Sequence, residues 1–457
     1  MAGRTVVVYA GARDPSYVVK VTAVAALSGL LFGFDTAVVN GGLLLLRNQF
    51  HLTNLQAETA AGALIAGAIF GAAAAGWSGD RYGRRKMLGW TAFLFAVSSV
   101  GAALPTNILQ FEAARFIGGV GIGIGSTLAP IYISEIAAPS IRGRLVALNQ
   151  LAVVLGILGS YFLCWQLARF GPGSWRWMFG AGLVPAIALF AGVFFIPESP
   201  RWLTRMGRAA EAQKVLANVA GSAEASREFR EIQTSIQQEQ YSRLQLRSPE
   251  LRKPLLIAIT LAMLQQITGI NTVLYYSAIL FSEHMRQQTS SAIGANIAIG
   301  LVNVAGTVLA LLWLDHIGRR LLLLWTSAGM AFSLFVLAGL FALHHPSFVL
   351  VTVSVLVYVM CFAIGLGPVT WVYISEIFPS TVRGRAASVA IVALWIVCFL
   401  VTTTFLSLLH SVGPSGTFAF YAAMSVGTFV FVYHELPETR NKSLEEIGMQ
   451  WGLHREK

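Results

Sequence analysis

The sequence predicts an all-α membrane protein of twelve transmembrane helices in two six-helix bundles, joined by short helices outside the membrane. Three observations predict it. The 457 residues are 56% hydrophobic and only 12% charged, against about 25% charged in soluble domains. The apolar residues fall into runs near the ~20 residues that a bilayer core requires. The chain also repeats itself. Gly79-Asp80-Arg81-Tyr82-Gly83-Arg84-Arg85 returns as Asp315-His316-Ile317-Gly318-Arg319-Arg320, and Glu135 with Arg142 and Arg144 returns as Glu376 with Arg383 and Arg385. Pro197-Glu198-Ser199 returns as Pro437-Glu438-Thr439. A repeat of six spans, an even number, sets both halves facing the same way about an axis along the membrane normal.

Taken in order, spans are expected at 19–46, 57–77, 87–104, 109–133, 145–168 and 176–196, making a bundle over residues 1–200. The first holds Asp35. The second ends at the Gly79–Arg85 charge cluster, and the fourth holds Arg115 and ends before Glu135. The glycine run Gly118–Gly125 lacks the preceding strand of a dinucleotide loop and reads as close helix packing. Residues 201–253 are polar and rich in Arg, Glu and Gln. Their stretches Ala209–Ala217 and Ser226–Gln240 suit short helices too polar to span a membrane. Spans at 254–282, 291–314, 321–343, 347–373, 386–410 and 414–433 make the second bundle, over 254–433, with a tail at 434–457.

The formal net charge of +11 would suggest nucleic acid for a soluble protein. Here the positive-inside rule accounts for it. Of the 32 Lys and Arg residues, only Arg47, Arg169, Arg176 and Arg286 sit in loops on one side, and Arg115 lies within the membrane. Both termini are therefore expected in the cytoplasm. The first twenty residues lack the layout of a cleaved signal peptide. Cys164, Cys361 and Cys398 fall in apolar spans without metal-ligand spacing, so neither a disulfide framework nor a metal site is expected. No nucleophile–base arrangement points to an enzyme.

A carboxylate mid-membrane costs at least ~2.5–3.5 kcal/mol on insertion scales, so Asp35 and Arg115 point to function. They suit a proton cycle or a fixed ion pair. At the span ends, Asp80, Arg84, Arg85, Glu135, Arg142, Arg144, Glu198 and Arg201 can form a charge network. Its repeat is Asp315, Arg319, Arg320, Glu376, Arg383 and Arg385. Loop anchoring explains the arginines but not the acids, so both clusters read as gates. Gln265, Gln266 and Asn271 are amides in span seven, and Gly269 between them permits a break that turns them toward a cavity. Amides match sugar hydroxyls as donors and acceptors; the same amides can merely bond helix to helix. Trp371 and Trp395 suit either an interfacial belt or an aromatic platform, and Gly365, Gly367 and Pro368 suggest a bend that swings Trp371 inward.

These motifs together resemble the sugar porter family of the major facilitator superfamily over essentially the whole chain. The resemblance rests on residues 79–85, Pro197-Glu198-Ser199-Pro200-Arg201-Trp202, Gln265–Asn271, Gly367-Pro368-Val369-Thr370-Trp371, Glu376-Ile377-Phe378-Pro379 and Pro437–Arg440. It implies a carrier that rocks around a monosaccharide site between the bundles. In similar proteins, positions matching Gln150, Gln265, Gln266, Asn271 and Asn303 contact the sugar and the one matching Trp371 packs on it. In similar proton-driven porters an acid and an arginine occupy the positions of Asp35 and Arg115. Two departures stand out. A second acid found in the related bacterial xylose–proton symporter corresponds to Gly182, for which Glu112 is a possible substitute partner of Arg115. Leu394 replaces an amide that several relatives carry. The expected function is import of a monosaccharide by proton symport. A facilitative sugar or polyol carrier and a sugar sensor are the alternatives. The expected partners of this monomer are the sugar, the proton and membrane lipid, with no cofactor. The expected location is the plasma membrane.

Overall fold

The computed structural model describes residues 15–137, 142–241, 249–284, 289–343, 346–378 and 382–439. Helices α1 (Pro15–Phe50), α2 (Asn54–Tyr82), α3 (Arg84–Ala103), α4 (Ile108–Ile136) and α5 (Arg142–Leu167) each make one span. The sixth span is shared by α6 (Trp175–Gly180) and α7 (Leu183–Val193). The linker forms α8 (Pro200–Arg205), α9 (Ala209–Ala220) and α10 (Ser222–Tyr241), shorter or more polar than any span. The second half contains α11 (Pro249–Ile267), α12 (Ile270–His284), α13 (Thr289–Ile317), α14 (Arg319–Ala342), α15 (Phe348–Ile364), α16 (Leu366–Glu376) and α17 (Arg383–Glu435).

Eleven helical stretches are long and apolar enough to cross a membrane. The last of them, Gly384–Glu435, carries two spans, because the backbone leaves the helix at Gly413 (φ 74°, ψ 170°) just before Pro414. Ser415 beyond that break bonds the Ala338 carbonyl at 2.8 Å, and Glu435 pairs with Lys253 at 3.9 Å back near the start of α11. The count is therefore twelve, as expected. The expected single spans seven and ten are each broken in the middle, at Gly269 and Gly365. The division between spans eleven and twelve is a glycine elbow rather than a loop.

Local signals explain the other ends. Thr53 and Gln56 form a reciprocal capping box at α2, Asn107 caps α4 and Ser199 caps α8; each satisfies amides that lack intrahelical partners. Gly83 (φ 95°) and Gly318 (φ 99°) make the matching tight turns α2–α3 and α13–α14. Few other residues adopt that conformation without strain. Trp202 at the start of the linker bonds the Asp80 carbonyl at 2.9 Å, which puts the linker helices on the same face as the α2–α3 turn. That side is the linker face, and its opposite is the far face.

Within the first bundle, the glycines of α4 divide their work. Gly119 and Gly123 lie against the backbone of α2, at Leu64 and Ala68, while Gly118 and Gly125 point toward α1 and α3. Gly33 and Gly156 bring α1 and α5 together in the same way. The bundles meet along two lateral seams, α2 with the first part of α17 and α5 with α13, and along α1 with α12. The internal repeat exchanges the two lateral seams, so they are copies of one another.

Candidate functional site

The site is assembled by two breaks in the second bundle. At Gly269 (φ 90°) the chain leaves α11 and restarts as α12. The break brings Asn271 back beside Gln266, so that its Nδ2 donates to Gln266 Oε1 at 2.6 Å and to Cys398 Sγ at 3.0 Å. At Gly365 the helix breaks between α15 and α16, and Gln265 Nε2 donates to the carbonyls of Leu366 (2.7 Å) and Gly367 (3.1 Å) in the first turn of α16. Gln265 thus braces one break from beside the other. Tyr358 does the converse, its hydroxyl donating to the Thr268 carbonyl at 2.9 Å.

Between the bundles these residues face a cavity of about 90 Å³. All seven residues singled out for sugar contact line it: Gln150 from the first bundle, and Gln265, Gln266, Asn271, Asn303, Trp371 and Trp395 from the second. Trp395 is 4% exposed and sits edge-on to Phe32 of α1 with centroids 5.6 Å apart. That burial removes the interfacial-belt alternative for Trp395, and the cavity-facing position of Trp371 removes it there. Leu394 also lines the cavity.

Asp35 and Arg115 lie in the first bundle next to this cavity, whose wall includes Gly33 and Thr36 on either side of Asp35. Arg115 is 1% exposed. Its Nη1 pairs with Asp35 Oδ1 and its Nη2 donates to the Asp35 carbonyl at 2.9 Å. The guanidinium also stands 5.2 Å from the Phe179 ring centroid, on its face, a favourable seat for a cation. Asp35 Oδ2 is buried and has no partner among the described residues. Glu112 does not substitute as a partner for Arg115; it accepts from Thr59 Oγ1 at 2.7 Å instead. A side chain at Gly182 would meet Ser99 Oγ at 2.7 Å, so the position has no room for an acid without repacking.

At the linker face the two halves carry matching networks among the described residues. Arg84 pairs with Asp80 and Glu135 at 3.0 Å each, and Arg319 with Glu376 at 2.8 Å. Glu135 also accepts from Ser199, and Glu376 from Thr439 at 2.7 Å. Glu198 receives the backbone amides of Arg84 (2.9 Å) and Arg85 (3.1 Å), and Glu438 those of Arg319 and Arg320 at 3.0 Å each. Burial pushes the Glu198 carboxyl above its ordinary value, against the pull of these amides.

Two details of these contacts were not foreseen. Among the described residues, Arg85 and Arg320 pair with no acid through their side chains. They donate to the carbonyls of Val193 (2.8 Å) and Tyr433 (2.6 Å), which end the last helix of each bundle. Helix ends leave such carbonyls unsatisfied. Moreover, among the described residues these contacts stay inside one bundle or reach the linker: Asp80 also meets Arg205 at 3.1 Å, and Arg201 reaches Ser235 at 3.5 Å. Arg385 is exposed. The side chains of Arg142, Arg144, Asp315 and Arg383 lie outside the described residues.

Hydrogen bonds that tie bundle to bundle gather toward the far face. Asn40 on α1, wholly buried, donates to the Leu274 carbonyl (2.8 Å) and Ser277 Oγ (2.7 Å) and accepts from the Ala278 amide (3.1 Å) and Asn296 (3.0 Å). Tyr161 donates to the Leu274 carbonyl at 3.0 Å. Glu58, also wholly buried, accepts from the Ser407 amide and hydroxyl at 2.7 Å each. Sequence reasoning missed these residues. An acid one turn inside a span reads as interfacial, and a partner on another span far along the chain leaves no local signal. Asn40 was detectable, since a buried amide in a membrane span demands partners.

The model of the family described as "Sugar (and other) transporter" matches residues 21–451. The chain is 37% identical over 442 residues to the arabinose–proton symporter of Bacillus subtilis, covering 95% of each. It is 34% identical over 478 residues to the D-xylose–proton symporter of Escherichia coli, covering 96% of each. Among solved structures, the xylose transporter XylE of Escherichia coli in a partially occluded inward-open conformation superposes with a TM-score of 0.84 at 32% identity. That likeness covers 94% of this chain and all of the other. XylE bound to 6-bromo-6-deoxy-D-glucose gives 0.83 at 33% identity, over 95% and 99% of the two chains. With the two broken helices, the cavity between bundles and the repeated linker-face network, these matches establish that the chain belongs to the sugar transporter family.

Proposed function

We propose that the protein is a secondary transporter that imports a monosaccharide together with a proton by alternating access. The observation that carries the reading is the buried Asp35–Arg115 pair beside an amide- and indole-lined cavity between the bundles. The two relatives named above are an arabinose–proton and a D-xylose–proton symporter, which makes arabinose and xylose the first sugars to test. The protein works in the plasma membrane with the linker face in the cytoplasm, as the concentration of Lys and Arg on that side requires. The far face is then outside, and the arrangement described above is the one with the outer mouth tied shut.

With the outer mouth open, a proton on Asp35 neutralises it and weakens its hold on Arg115. Sugar binds between Gln150, Gln266, Asn271 and Asn303, with Trp371 against its C–H face. The bundles then rock until Asn40 and Glu58 engage α12 and α17. Inside, Asp35 loses its proton and the sugar leaves. A 100 mV potential supplies ~2.3 kcal/mol per proton and one pH unit ~1.4 kcal/mol, enough for roughly 500-fold accumulation at one proton per sugar.

The test is labelled-sugar uptake into proteoliposomes with and without a proton gradient, for wild type and Asp35→Asn. The variant is expected to lose accumulation and keep sugar-for-sugar exchange. Accumulation that ignores both the gradient and the substitution would make the protein a facilitative carrier and the pair a fixed brace.

A further inference from the structure

Asp35 has its free oxygen, Oδ2, turned into the first bundle, away from any partner among the described residues. What surrounds that oxygen repeats every seven residues along three helices. Where a side chain on Gly118 of α4 would begin, Ser98 Oγ of α3 and Asp35 Oδ2 of α1 (3.5 Å) converge. Seven residues toward the linker face on each helix are Gly125, Thr91 and Ser28. There a related construction recurs: the Gly125 position is met by Ser28 Oγ and by Thr91, whose methyl is 2.9 Å away and whose Oγ1 is 3.7 Å away.

Ser28 is 2% exposed and Thr91 wholly buried, yet neither hydroxyl has a partner among the described residues. Asn149 Oδ1, facing Gly29 on the next helix, is a third such atom. Buried polar atoms are rarely left unsatisfied without a reason, and three in one layer is a concentration. Seven residues further on are Arg84 and Tyr132, both within the linker-face network. α1 runs the same way, since Tyr17 near its start bonds Asn218 of α9.

We propose that Ser98, then Ser28 and Thr91 with Asn149, form a proton relay from Asp35 through the first bundle to the linker face, separate from the sugar's route. This rests on the reading of Asp35 as the proton carrier. The O–H bond on Asp35 Oδ2 breaks, and each hydroxyl accepts a proton on its oxygen while passing its own onward. A water on the linker face is the final acceptor, so one carboxylate and one hydrated proton are the products. A seven-residue helical step is about 10.5 Å, longer than one hydrogen bond, so water held between the layers completes each step. Gly118 and Gly125 matter because any side chain there would fill the junction. Hydroxyls suit the task because each is both donor and acceptor.

The experiment compares Ser28→Ala, Thr91→Val and the double variant with wild type and Asp35→Asn in proteoliposomes, using labelled xylose and arabinose. Gradient-driven net uptake is expected to fall several-fold in the single variants and further in the double. Exchange, which needs no proton release, is expected to stay at the wild-type rate. Net uptake and exchange falling together would show a packing role and overturn the proposal, as would no fall in either. If Asp35→Asn itself still accumulates sugar, the fault lies with the proton-carrier reading, whatever the hydroxyl variants do.

Discussion

Leu394 stands at a cavity position where the resemblance to sugar porters leads one to expect an amide, and the structure gives that expectation a consequence. It is 2% exposed and lines the cavity beside Trp395. An added amide there could offer one hydrogen bond to a sugar hydroxyl, worth about 0.5–1.5 kcal/mol net. Leu394→Gln is therefore expected to tighten the transported sugar by roughly twofold to tenfold, read by competition against labelled substrate. Unchanged affinity across a panel of pentoses and hexoses would show that the position does not face the bound sugar. The cavity amides and Trp371 were legible in the sequence, because polar and aromatic groups amid apolar runs stand out. That Gln265 would commit its nitrogen to the carbonyls of Leu366 and Gly367 was not, because those partners lie on another span, 101 and 102 residues along the chain.

The broken elements are where helix propensity yields to function. Gly269 was readable as a break because it stands between amides that an unbroken helix would point apart. Gly365 was readable as a bend. The elbow at Gly413 was not, since sequence marks a span boundary there without saying whether a loop or a single glycine makes the turn. A methyl group at Gly269 would face two penalties. Its φ of 90° is unfavourable for other residues, and the new Cβ would lie 2.8 Å from the Tyr421 ring. Left-handed strain alone costs about 1–2 kcal/mol. Gly269→Ala is expected to lower the thermal stability of the purified carrier and to abolish uptake, since the strained turn sets the approach of Asn271 to Gln266. Normal uptake with normal stability would show that the break tolerates a second geometry. Gln265→Ala should damage the same region from the other side, removing the bonds that brace the first turn of α16; substrate-independent loss of stability is the expected signature.

Over the whole molecule, the division of labour is between strong bonds inside each bundle and a smaller set across the seam. Glu58 and Asn40 dominate the latter, and both vanish from solvent when the far face is tied. Hydrogen bonds to a charged group are worth about 1.5–3 kcal/mol each and Glu58 accepts two, so Glu58→Ala is expected to shift the resting population toward the far-open state by at least about a hundredfold. Spin labels on cysteines placed at the exposed positions Leu55 and Val412, at the far ends of α2 and of the first span of α17, would report it as a longer distance. An unaltered distance distribution would mean that the seam is held by packing alone. The twelve spans and the repeat were legible because hydropathy and spacing are local properties. Which face was tied was not, because the same residues must serve both arrangements and their energies differ by little.

The linker-face networks have one more consequence. Because Arg84 with Glu135 and Arg319 with Glu376 each close within a single bundle, neither half needs the other to satisfy these charges at its linker face. The polar segment between them then acts mainly as a tether that sets local concentration. A gene cut within that tether, with both fragments made in one cell, should yield two polypeptides that find each other in the bilayer and restore uptake. Such self-sufficiency is also what a duplicated ancestral half would have required before any tether existed.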